Sequence, residues 1–598
     1  MKRAAKESDA RKGAKGAHDE PAELPPQAPG VPPMLLVQAL RRAGVAGIIF
    51  VLVAYVLVVT AADPGLTWDE PIYMRAAVEY WDWFHDAPRL QPRMASETLR
   101  RVWLSDGHPP LGKLAIMLPL ATLNQQIDPV VAARLMPIAC FALVCALLFF
   151  YVQRRFGLAS GVCAAVLLAA MPRVFAHAHL ASLEMPLMLT WVATIFAFEK
   201  GIHSRFWSVV TGVCFGLALL TKFNAVLLPV LLFIWGFIFH GGKVVPNLVC
   251  MGTIGPIMFF AGWPAMWQEP VANAISYVQF QMSGHRLPIP VYYLGKVYGG
   301  KAYADLVAPW HYPFVMTLLT TPLLVLFAAA AGVFRLVWPG AVKAGANADD
   351  ESAPNMRPVG MLFLFAFLAP LLLVALPGAP KYDGERLFLT AFPFLAALGG
   401  IGLGWLWDKS FSQPRPNLLS TLLTAVLVVF GGAMLVGLVA LHPFQMSYYS
   451  EAVGGPWGAK KLGMEPTYWG DTFNDEVLQQ INARLPGGGK VALVCVGEFV
   501  WPWLEFSGRI PNNIDEVRTN DIVTTGIADG DWDIAVVIPR WGWVYGMLSP
   551  EEQRVVRELQ RRGPDWVQYV SPLQKVPVCL IYCRPGAKNV SYPPKRTR

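Results

Sequence analysis

The fold is decided by GVAGIIFVLVAYVLVVTAA, residues 44–62, which is followed closely by Trp68-Asp69-Glu70-Pro71. A membrane-spanning helix needs about 20 predominantly apolar residues, and this run is long enough to be one. It also lacks a clear small-residue cleavage pattern, so we do not interpret it as a removable signal peptide. The sequence thus predicts a membrane span with two carboxylates just beyond its end.

The composition of the whole chain is that of a membrane protein. Of 598 residues, 55% are hydrophobic and only 15% are charged, and the mean hydropathy of +0.42 is too high for a soluble globular chain. We predict an α-helical polytopic protein with about 11 transmembrane helices. The predicted spans are residues 44–62, 135–152, 158–172, 184–198, 206–221, 223–240, 244–262, 312–337, 359–377, 387–407 and 417–441. The apolar run 111–123 is short and follows two prolines, so we predict an interfacial helix there.

Basic residues predict the topology, because Lys and Arg in short loops are retained on the cytoplasmic side. If segment 111–123 does not cross, the basic N-terminal tail and the basic loops all lie inside. These loops carry Arg154, Arg155, Lys200, Arg205, Lys243, Arg335, Lys343, Arg357, Lys409 and Arg415. The same topology places the polar candidates on the outer face, including the 381–386 loop and the long loop 263–311. The net charge of +8 is therefore explained by topology and anionic lipid, and we expect no nucleic-acid partner.

Two further segments flank the predicted membrane domain, residues 44–441. Residues 1–43 are basic and mostly without apolar periodicity, so we predict a disordered cytoplasmic tail. Residues 442–598 predict an extracytoplasmic α/β domain. Its predicted elements are a helix containing Phe473 to Leu485, strands at 491–496, 534–539 and 578–583, and a helix that starts at Ser549-Pro550.

The cysteines divide between these two regions. Five lie in predicted spans, where they serve as small apolar side chains. The other three, Cys495, Cys579 and Cys583, lie in the C-terminal domain. An oxidising compartment would permit one bridge there, with Cys579 and Cys583 as alternative partners of Cys495.

Four motifs carry a resemblance to a known family. They are the Asp69-Glu70 pair, Asp106-Gly107-His108-Pro109-Pro110-Leu111-Gly112-Lys113, Glu184-Met185-Pro186-Leu187 and Gly216-Leu217-Ala218-Leu219-Leu220-Thr221-Lys222. Together they resemble the protein O-mannosyltransferases and their bacterial relatives, among them the lipid A aminoarabinose transferases. These enzymes belong to the GT-C superfamily of polyprenyl-phosphate-dependent glycosyltransferases. The resemblance extends over residues 44–450 and implies the GT-C fold, with an outer catalytic loop at 63–129.

The resemblance implies an integral membrane glycosyltransferase. It would transfer a hexose or pentose from a polyprenyl phosphate to a protein, lipid or glycan on the outer face, with inversion. Asp69 becomes the general base, and Glu70 and Glu184 are further catalytic candidates. The substrate-binding candidates are His108, Lys113, Lys222, Asp383 and Arg386. We expect Lys222 and Arg386 to bind the donor phosphate, Arg through paired hydrogen bonds and Lys as a point charge.

The relatives also imply a location, a bacterial plasma (inner) membrane. The N-terminus would be cytoplasmic and the C-terminal domain periplasmic or extracellular. One departure from the family is visible: many bacterial members have Asp before Pro-Leu, whereas this chain has Glu184 followed by Met185. The second acidic position is therefore offset or serves another role. The expected partners are a polyprenyl-phosphate sugar, an unidentified acceptor and membrane lipids, with the lipid-linked sugar in place of a cofactor.

Alternative interpretations exist for the same residues. Asp69 and Glu70 could simply cap a helix that begins near Pro71, and Lys222 could extend to the membrane interface. His108 could stabilise its own loop. His177, His179 and Glu184 are suitable donors for a divalent metal, but their spacing matches no recognised motif, so we assign no metal site.

Two other functions compete with glycosyl transfer. A transporter or flippase would have charges inside the membrane that line a path, and often has repeated halves. The predicted spans contain very few central charges and show no repeat, which favours the transferase. A catalytically silent scaffold whose C-terminal domain binds a partner is the third reading.

Overall fold

The computed structural model describes residues 33–85, 96–104, 107–282, 289–338, 356–411, 418–519, 522–523, 527, 530–571, 573–587 and 589–591. Of the predicted disordered tail, residues 1–32 lie outside the described residues, and residues 33–43 begin the first helix rather than remaining irregular. The chain divides into two compact units, Met1–Val45 and Ala46–Arg598. The second unit contains the helices after α1, the sheet and the candidate site.

The first part of the chain is helical. Its helices are α1 (Pro33–Val59), α2 (Glu70–His85), α3 (Ser96–Trp103), α4 (Leu111–Leu123), α5 (Pro129–Phe156), α6 (Leu158–Ala169), α7 (Pro172–Ala178), α8 (Glu184–Gly201), α9 (Arg205–Leu219), α10 (Leu228–His240), α11 (Val245–Gly262) and α12 (Pro270–Met282). The helix α5 shows why such boundaries form. Asp128 caps its N-terminus by accepting from the N–H groups of Val130 (2.8 Å) and Val131 (3.2 Å), Pro129 occupies its first turn, and Gly157 ends it at φ +93°.

A short hairpin, β1 (Val291–Tyr293) and β2 (Lys296–Tyr298), precedes the later apolar helices. These are α13 (Tyr312–Thr320), α14 (Leu323–Val337), α15 (Arg357–Ala375), α16 (Phe392–Phe411) and α17 (Leu418–Ala440). Short 3₁₀ turns cover Phe223–Leu227, Gly241–Val244, Pro264–Met266, Arg386–Ala391, Gln445–Ser447 and Glu451–Val453. The helix α16 lies at the centre of the helical core and contacts α6, α14 and α15.

The prediction of 11 spans is not confirmed. Within the described residues, six helical segments are long and apolar enough to cross a membrane, or up to eight if each bent pair forms one span. The protein is thus an integral membrane protein, with fewer qualifying spans than predicted. The predicted spans 223–240 and 244–262 fall within a single apolar stretch, Phe223–Gly262, and the predicted span 206–221 corresponds to α9, with only 15 residues.

One predicted single span is wrong in shape. The stretch 312–337 is bent by 115° between α13 and α14. Pro322 lies at the break, and a proline both lacks the N–H that continues a helix and disfavours helical backbone at the preceding residue. The predicted span 158–172 corresponds to α6, and the 70° bend between α6 and α7 falls at its end, beside Pro172.

The C-terminal region contains helices and a five-stranded sheet, so its predicted mixed α/β character is confirmed. Its elements are α18 (Gly455–Lys461), α19 (Asp475–Arg484), β3 (Gly489–Val494), α20 (Val500–Phe506), β4 (Ile514–Val517), β5 (Ile534–Val537), α21 (Trp541–Gly546), α22 (Pro550–Arg562), β6 (Trp566–Tyr569) and β7 (Pro577–Cys583). The strand order is β4-β3-β5-β7-β6, with β4, β3 and β5 parallel and β7 antiparallel to both neighbours. The sequence predicted β3, β5 and β7 but missed β4 and β6. Cys495, Cys579 and Cys583 are buried and free, without the bridge considered above.

Candidate active site

A cavity of about 490 Å³ lies where the segment after α1, the loop before α16 and the C-terminal domain meet. Its lining includes five polar side chains that face a common space: Asp69, His108, Asp383, Arg386 and Arg540. The first four were predicted from sequence as site residues, although they are as much as 317 positions apart in the chain. The fold therefore brings the principal candidates together.

Asp69 is positioned by main-chain contacts on both sides. Before it, the N–H of Gly65 donates to the carbonyl of Asp471 (2.7 Å), and the N–H of Trp68 donates to the carbonyl of Trp469 (3.0 Å). After it, α2 begins, and the carbonyl of Asp69 accepts from the N–H groups of Ile72 and Tyr73, each at 3.1 Å. The carboxylate is 22% exposed. It is thus held at the cavity wall and open to a ligand.

Arg386 is the centre of the polar network. Its Nη2 donates to Asp69 Oδ2 in a short ion pair. Its Nε donates to Glu184 Oε1 (2.9 Å) and its Nη1 to Asp383 Oδ2 (3.2 Å). The guanidinium also stacks on the indole of Trp469, with 4.1 Å between Cζ and the ring centroid. Contacts with three carboxylates and one aromatic face fix the orientation of this cation.

Glu184 and Lys222 support Arg386 from outside the cavity lining. Lys222 Nζ donates to the same Oε1 of Glu184 that binds Arg386, at 2.9 Å. Both side chains are nearly inaccessible, with 2% of the Glu184 side chain and 9% of the Lys222 side chain exposed. The geometry therefore gives Glu184 a positioning role, and Lys222 reaches the cavity only through Glu184.

Asp383 connects Arg386 to a residue that sequence reasoning missed. Its Oδ1 accepts from Arg540 Nη2 (2.7 Å) while its Oδ2 accepts from Arg386. Asp383 has φ +52°, a left-handed conformation that Asp tolerates better than most residues. Burial raises the pKa of Asp383 above its ordinary value, although Arg540 and Arg386 both favour the charged form.

Arg540 comes from the C-terminal domain, three residues after β5. Its Nε is buried and has no hydrogen-bond partner among the described residues, and its guanidinium lies over Trp68 (5.2 Å) and Trp543 (5.4 Å). A signal existed in the sequence, because polar residues directly after a buried parallel strand often face a ligand site. Arg540 follows such a strand, Ile534–Val537.

Glu70 does not share the cavity with Asp69. Arg134 donates to both of its oxygens, Nε to Oε1 and Nη2 to Oε2, each at 2.8 Å. The N–H groups of Thr67 (2.9 Å) and Ala181 (2.8 Å) also bind this carboxylate. Burial opposes its charge, but Arg134 and these N–H groups bring the pKa of Glu70 below its ordinary value. The geometry is that of a closed structural ion pair, so the catalytic role considered for Glu70 has no geometric support.

His108 and Lys113 form a local unit in the outer loop. His108 lines the cavity, and its ring lies edge-on to Tyr73 with 6.2 Å between centroids. Lys113 is fully buried, and its Nζ donates to the carbonyl of His108 at 2.8 Å. Lys113 is therefore placed to hold the His108 backbone rather than to contact a substrate. Asp106, from the same motif, lies outside the described residues.

The histidines considered as metal ligands point to other partners. His177 Nε2 is hydrogen-bonded to Tyr468 OH (2.8 Å), while His179 bonds Thr60 Oγ1 (2.8 Å) and the Phe175 carbonyl (2.9 Å). In the part of the chain that the structure describes, no group of three His, Cys, Asp or Glu side chains is arranged to hold a metal ion.

Aromatic side chains form much of the remaining cavity wall. Trp68 and Trp543 lie with ring centroids 4.5 Å apart, one from the segment after α1 and the other from α21. Tyr382 and Trp469 line the same space. Aromatic faces beside charged groups are suited to a ligand that combines a sugar ring with a phosphate.

Comparison with known proteins places part of the chain in a family context. Residues 107–263 match the family described as dolichyl-phosphate-mannose-protein mannosyltransferase. This segment contains His108, Lys113, Glu184 and Lys222, so the resemblance predicted from these motifs is confirmed over that part of the chain. A comparison with curated proteins finds no match.

Two kinds of solved structure are similar at low identity. ArnT from Cupriavidus metallidurans bound to undecaprenyl phosphate shares 15% identity, with 89% of this chain and 97% of that chain covered and a TM-score of 0.46. Archaeal oligosaccharyltransferase AglB from Archaeoglobus fulgidus, in complex with an inhibitory peptide and a dolichol-phosphate, shares 10% identity, with 82% of this chain and 69% of that chain covered and a TM-score of 0.42. Because both TM-scores lie below 0.5, neither likeness carries a conclusion about the site.

Proposed function

We propose that this protein is an integral membrane glycosyltransferase of the GT-C type that uses a polyprenyl-phosphate sugar as donor. The observation that carries the proposal is the pairing of Asp69 with Arg386 in an aromatic-walled cavity. The family match over residues 107–263 supports the donor class, since the family is described by a dolichyl-phosphate sugar. The membrane-spanning helices supply the lipid-facing surface that such a donor requires.

In the proposed reaction, Asp69 accepts the proton of an acceptor hydroxyl. The acceptor oxygen then attacks the anomeric carbon, and the bond between that carbon and the phosphate oxygen breaks on the opposite side. The bonding pair leaves with the phosphate, so the products are the glycosylated acceptor, with inverted configuration, and the polyprenyl phosphate. A positioned carboxylate of this kind contributes roughly 10²- to 10⁴-fold to the rate.

Arg386 is the proposed phosphate-binding residue. A guanidinium has five N–H donors, and three of them bind Asp69, Glu184 and Asp383. Two N–H groups are therefore left for phosphate oxygens without breaking the network. Arg540, with its unpartnered Nε, supplies a second cation on the same wall. Lys222 takes the indirect role of holding Glu184.

The domain assignment is part of the proposal. Residues 44–441 would form the catalytic membrane domain, with 63–129 as its outer loop, and residues 442–598 an extracytoplasmic domain. The C-terminal domain supplies Arg540, Trp543 and Phe499 to the cavity. We therefore assign it a share of the substrate site. The membrane would be a bacterial plasma membrane, with the cavity on its outer side.

Lipid-resolved native mass spectrometry of the detergent-purified protein tests the donor half of this proposal. We expect a co-purifying polyprenyl phosphate or its sugar-loaded form, whose mass identifies the sugar class. Arg386→Ala should lose this adduct, while Lys490→Gln, a change in an exposed ion pair with Asp531, should retain it. Repeated absence of the lipid from wild-type protein, or equal retention by Arg386→Ala, would contradict the proposal.

A further inference from the structure

A second cavity lies at the far ends of two helices that begin beside the candidate active site. Arg134, near the start of α5, binds Glu70, and Glu184 begins α8. Because an α-helix rises 1.5 Å per residue, Arg154 lies about 30 Å from Arg134 along α5. This length equals the hydrocarbon thickness of a bilayer, about 30 Å. The second cavity is therefore separated from the start of α5 by about the thickness of a bilayer.

This cavity has a volume of about 470 Å³ and an excess of positive charge. Three of its lining residues are cations, Arg154, Arg155 and Lys200, whereas Glu199 is the one carboxylate among its lining residues. Lys200 interacts repulsively with both arginines. An anion bound between these cations would relieve that repulsion.

Glu199 is largely committed to one of the three cations. Both of its oxygens accept from Arg155 Nη2, at 2.7 and 2.8 Å, and Tyr151 OH donates to it at 2.8 Å. The other two cations are held on aromatic faces instead. Arg154 lies over Phe150 at 5.7 Å, and Lys200 lies over Trp207 at 4.1 Å from the ring centroid. The ring contacts thus position Arg154 and Lys200, and the hydrogen bonds of Glu199 go to Arg155 and Tyr151 instead.

We propose that this cavity binds the phosphate of an anionic phospholipid from the leaflet opposite the candidate active site. Arg154 binds the phosphate through its planar fork and Lys200 as a point charge. Trp207 and Phe150 contact the glycerol region, since aromatic rings are suited to the headgroup level. Inorganic phosphate has the same anionic chemistry, but only a lipid also uses the aromatic wall at a bilayer surface.

Retention of lipid by the purified full-length chain tests this assignment independently of the proposed function. The protein is placed in nanodiscs of equal phosphatidylglycerol and phosphatidylcholine, extracted into detergent and examined by native mass spectrometry for bound lipid. The variant is Arg154→Gln with Lys200→Gln. Each basic side chain near a membrane surface is worth about a fivefold factor in binding, so the pair should lower retained phosphatidylglycerol by about 25-fold.

Lys409→Gln is the matched control, because Lys409 also lies over an indole, that of Trp405 at 5.1 Å, but outside this cavity. It should retain phosphatidylglycerol as wild type does. Equal retention by the double variant and wild type, or equal loss in Lys409→Gln, would overturn the proposal. Displacement of the lipid by millimolar inorganic phosphate would overturn the lipid assignment in favour of a soluble phosphate. Each variant is first checked for an unchanged Tm, and Arg154→Lys, which keeps the charge, should restore most of the retention.

Discussion

Asp69 and Glu70 are neighbours in the chain but belong to opposite kinds of environment. Glu70 has no exposed surface, and Arg134 and two backbone N–H groups bind both of its oxygens. Asp69 is 22% exposed and faces a cavity with Arg386. The α2 helix begins between them, so one side chain turns into the protein and the other toward the cavity. Catalytic candidates are therefore better distinguished by how completely their atoms are bound than by residue type or motif.

The largest expected effect is that of Asp69→Asn on glycosyl transfer. The change keeps the shape but removes the proton acceptor, so the rate should fall by roughly 10²- to 10⁴-fold. The measurement is release of polyprenyl phosphate from the sugar-loaded donor, with Tm as a check on folding. Wild-type activity in this variant would remove the proposed mechanism, and a loss confined to Glu184→Gln would move the base to that residue.

Glu70→Gln should instead act on stability. Removing one partner of a buried ion pair leaves the charge of Arg134 uncompensated, and such changes cost about 3–5 kcal/mol. We expect a large decrease in Tm and in the yield of folded protein. Glu269→Gln is the matched control, because Glu269 binds Arg100 at 2.7 Å in a pair that is more than half exposed, where about 0–1 kcal/mol is expected. Similar Tm values for the two variants would show that the buried pair of Glu70 and Arg134 contributes no more to stability than the exposed pair.

A third carboxylate, Glu465, should make stability depend on pH. Burial raises the pKa of Glu465 to about 7, although Arg540 and the N–H groups of Gly542 and Tyr292 oppose this. The unfolded chain has the ordinary value of 4.5, so the folded state binds more protons between these two pH values and stability falls as pH rises through them. The fall amounts to about 3 kcal/mol. Glu465→Gln should flatten the decline of Tm from pH 4.5 to 7, and an unchanged slope would show that Glu465 is not the group responsible.

Arg540→Gln is expected to have the smallest of these effects. It removes one hydrogen bond between charged groups that holds Asp383, worth about 1.5–3 kcal/mol, so transfer should fall by about 10- to 100-fold. Because Arg540 also lines the cavity, the loss should appear in KM as well as kcat. Arg540→Lys should recover part of the activity. If Arg540→Gln transferred the sugar at the wild-type rate, Arg540 would have no part in the site, and the site would belong to the membrane domain alone.

Local signals made part of the fold predictable. The helix α22 was predicted from Ser549 and Pro550, and its capping box is present: Ser549 Oγ accepts from the Glu552 N–H (3.2 Å) and Glu552 Oε2 from the Ser549 N–H (2.7 Å). The strands β4 and β6 were missed because they lie at the sheet edges. In β4, Ile514 is buried and Val517 is partly buried, while the two residues between them are exposed. The strand therefore has no apolar run that would predict it.

The candidate site was also only partly predictable from the sequence. Motif resemblance indicated Asp69, His108 and Arg386, and the fold brings them to one cavity. The buried ion pair of Glu70 could not be predicted, because its partner Arg134 lies 64 residues away inside an apolar helix. Arg540 follows the buried strand Ile534–Val537, a signal that the sequence analysis did not use. Trp543 could not be assigned, since its role depends on how the C-terminal domain packs against the loop after α1. Pro322 indicated a bend, but the predicted span 312–337 was based on the length of the apolar run alone.

The pairing of Gly65 and Trp68 with Asp471 and Trp469 has a consequence for biogenesis. A ribosome synthesises every apolar helix, from α1 to α17, before it reaches Trp469 and Arg540. The segment that bears Asp69 is therefore synthesised long before Trp469 and Asp471, the residues that hold it, which lie about 400 positions later. A nascent or truncated chain would embed in the membrane with the candidate site incomplete, so the proposed activity would begin only after Arg540 has been synthesised.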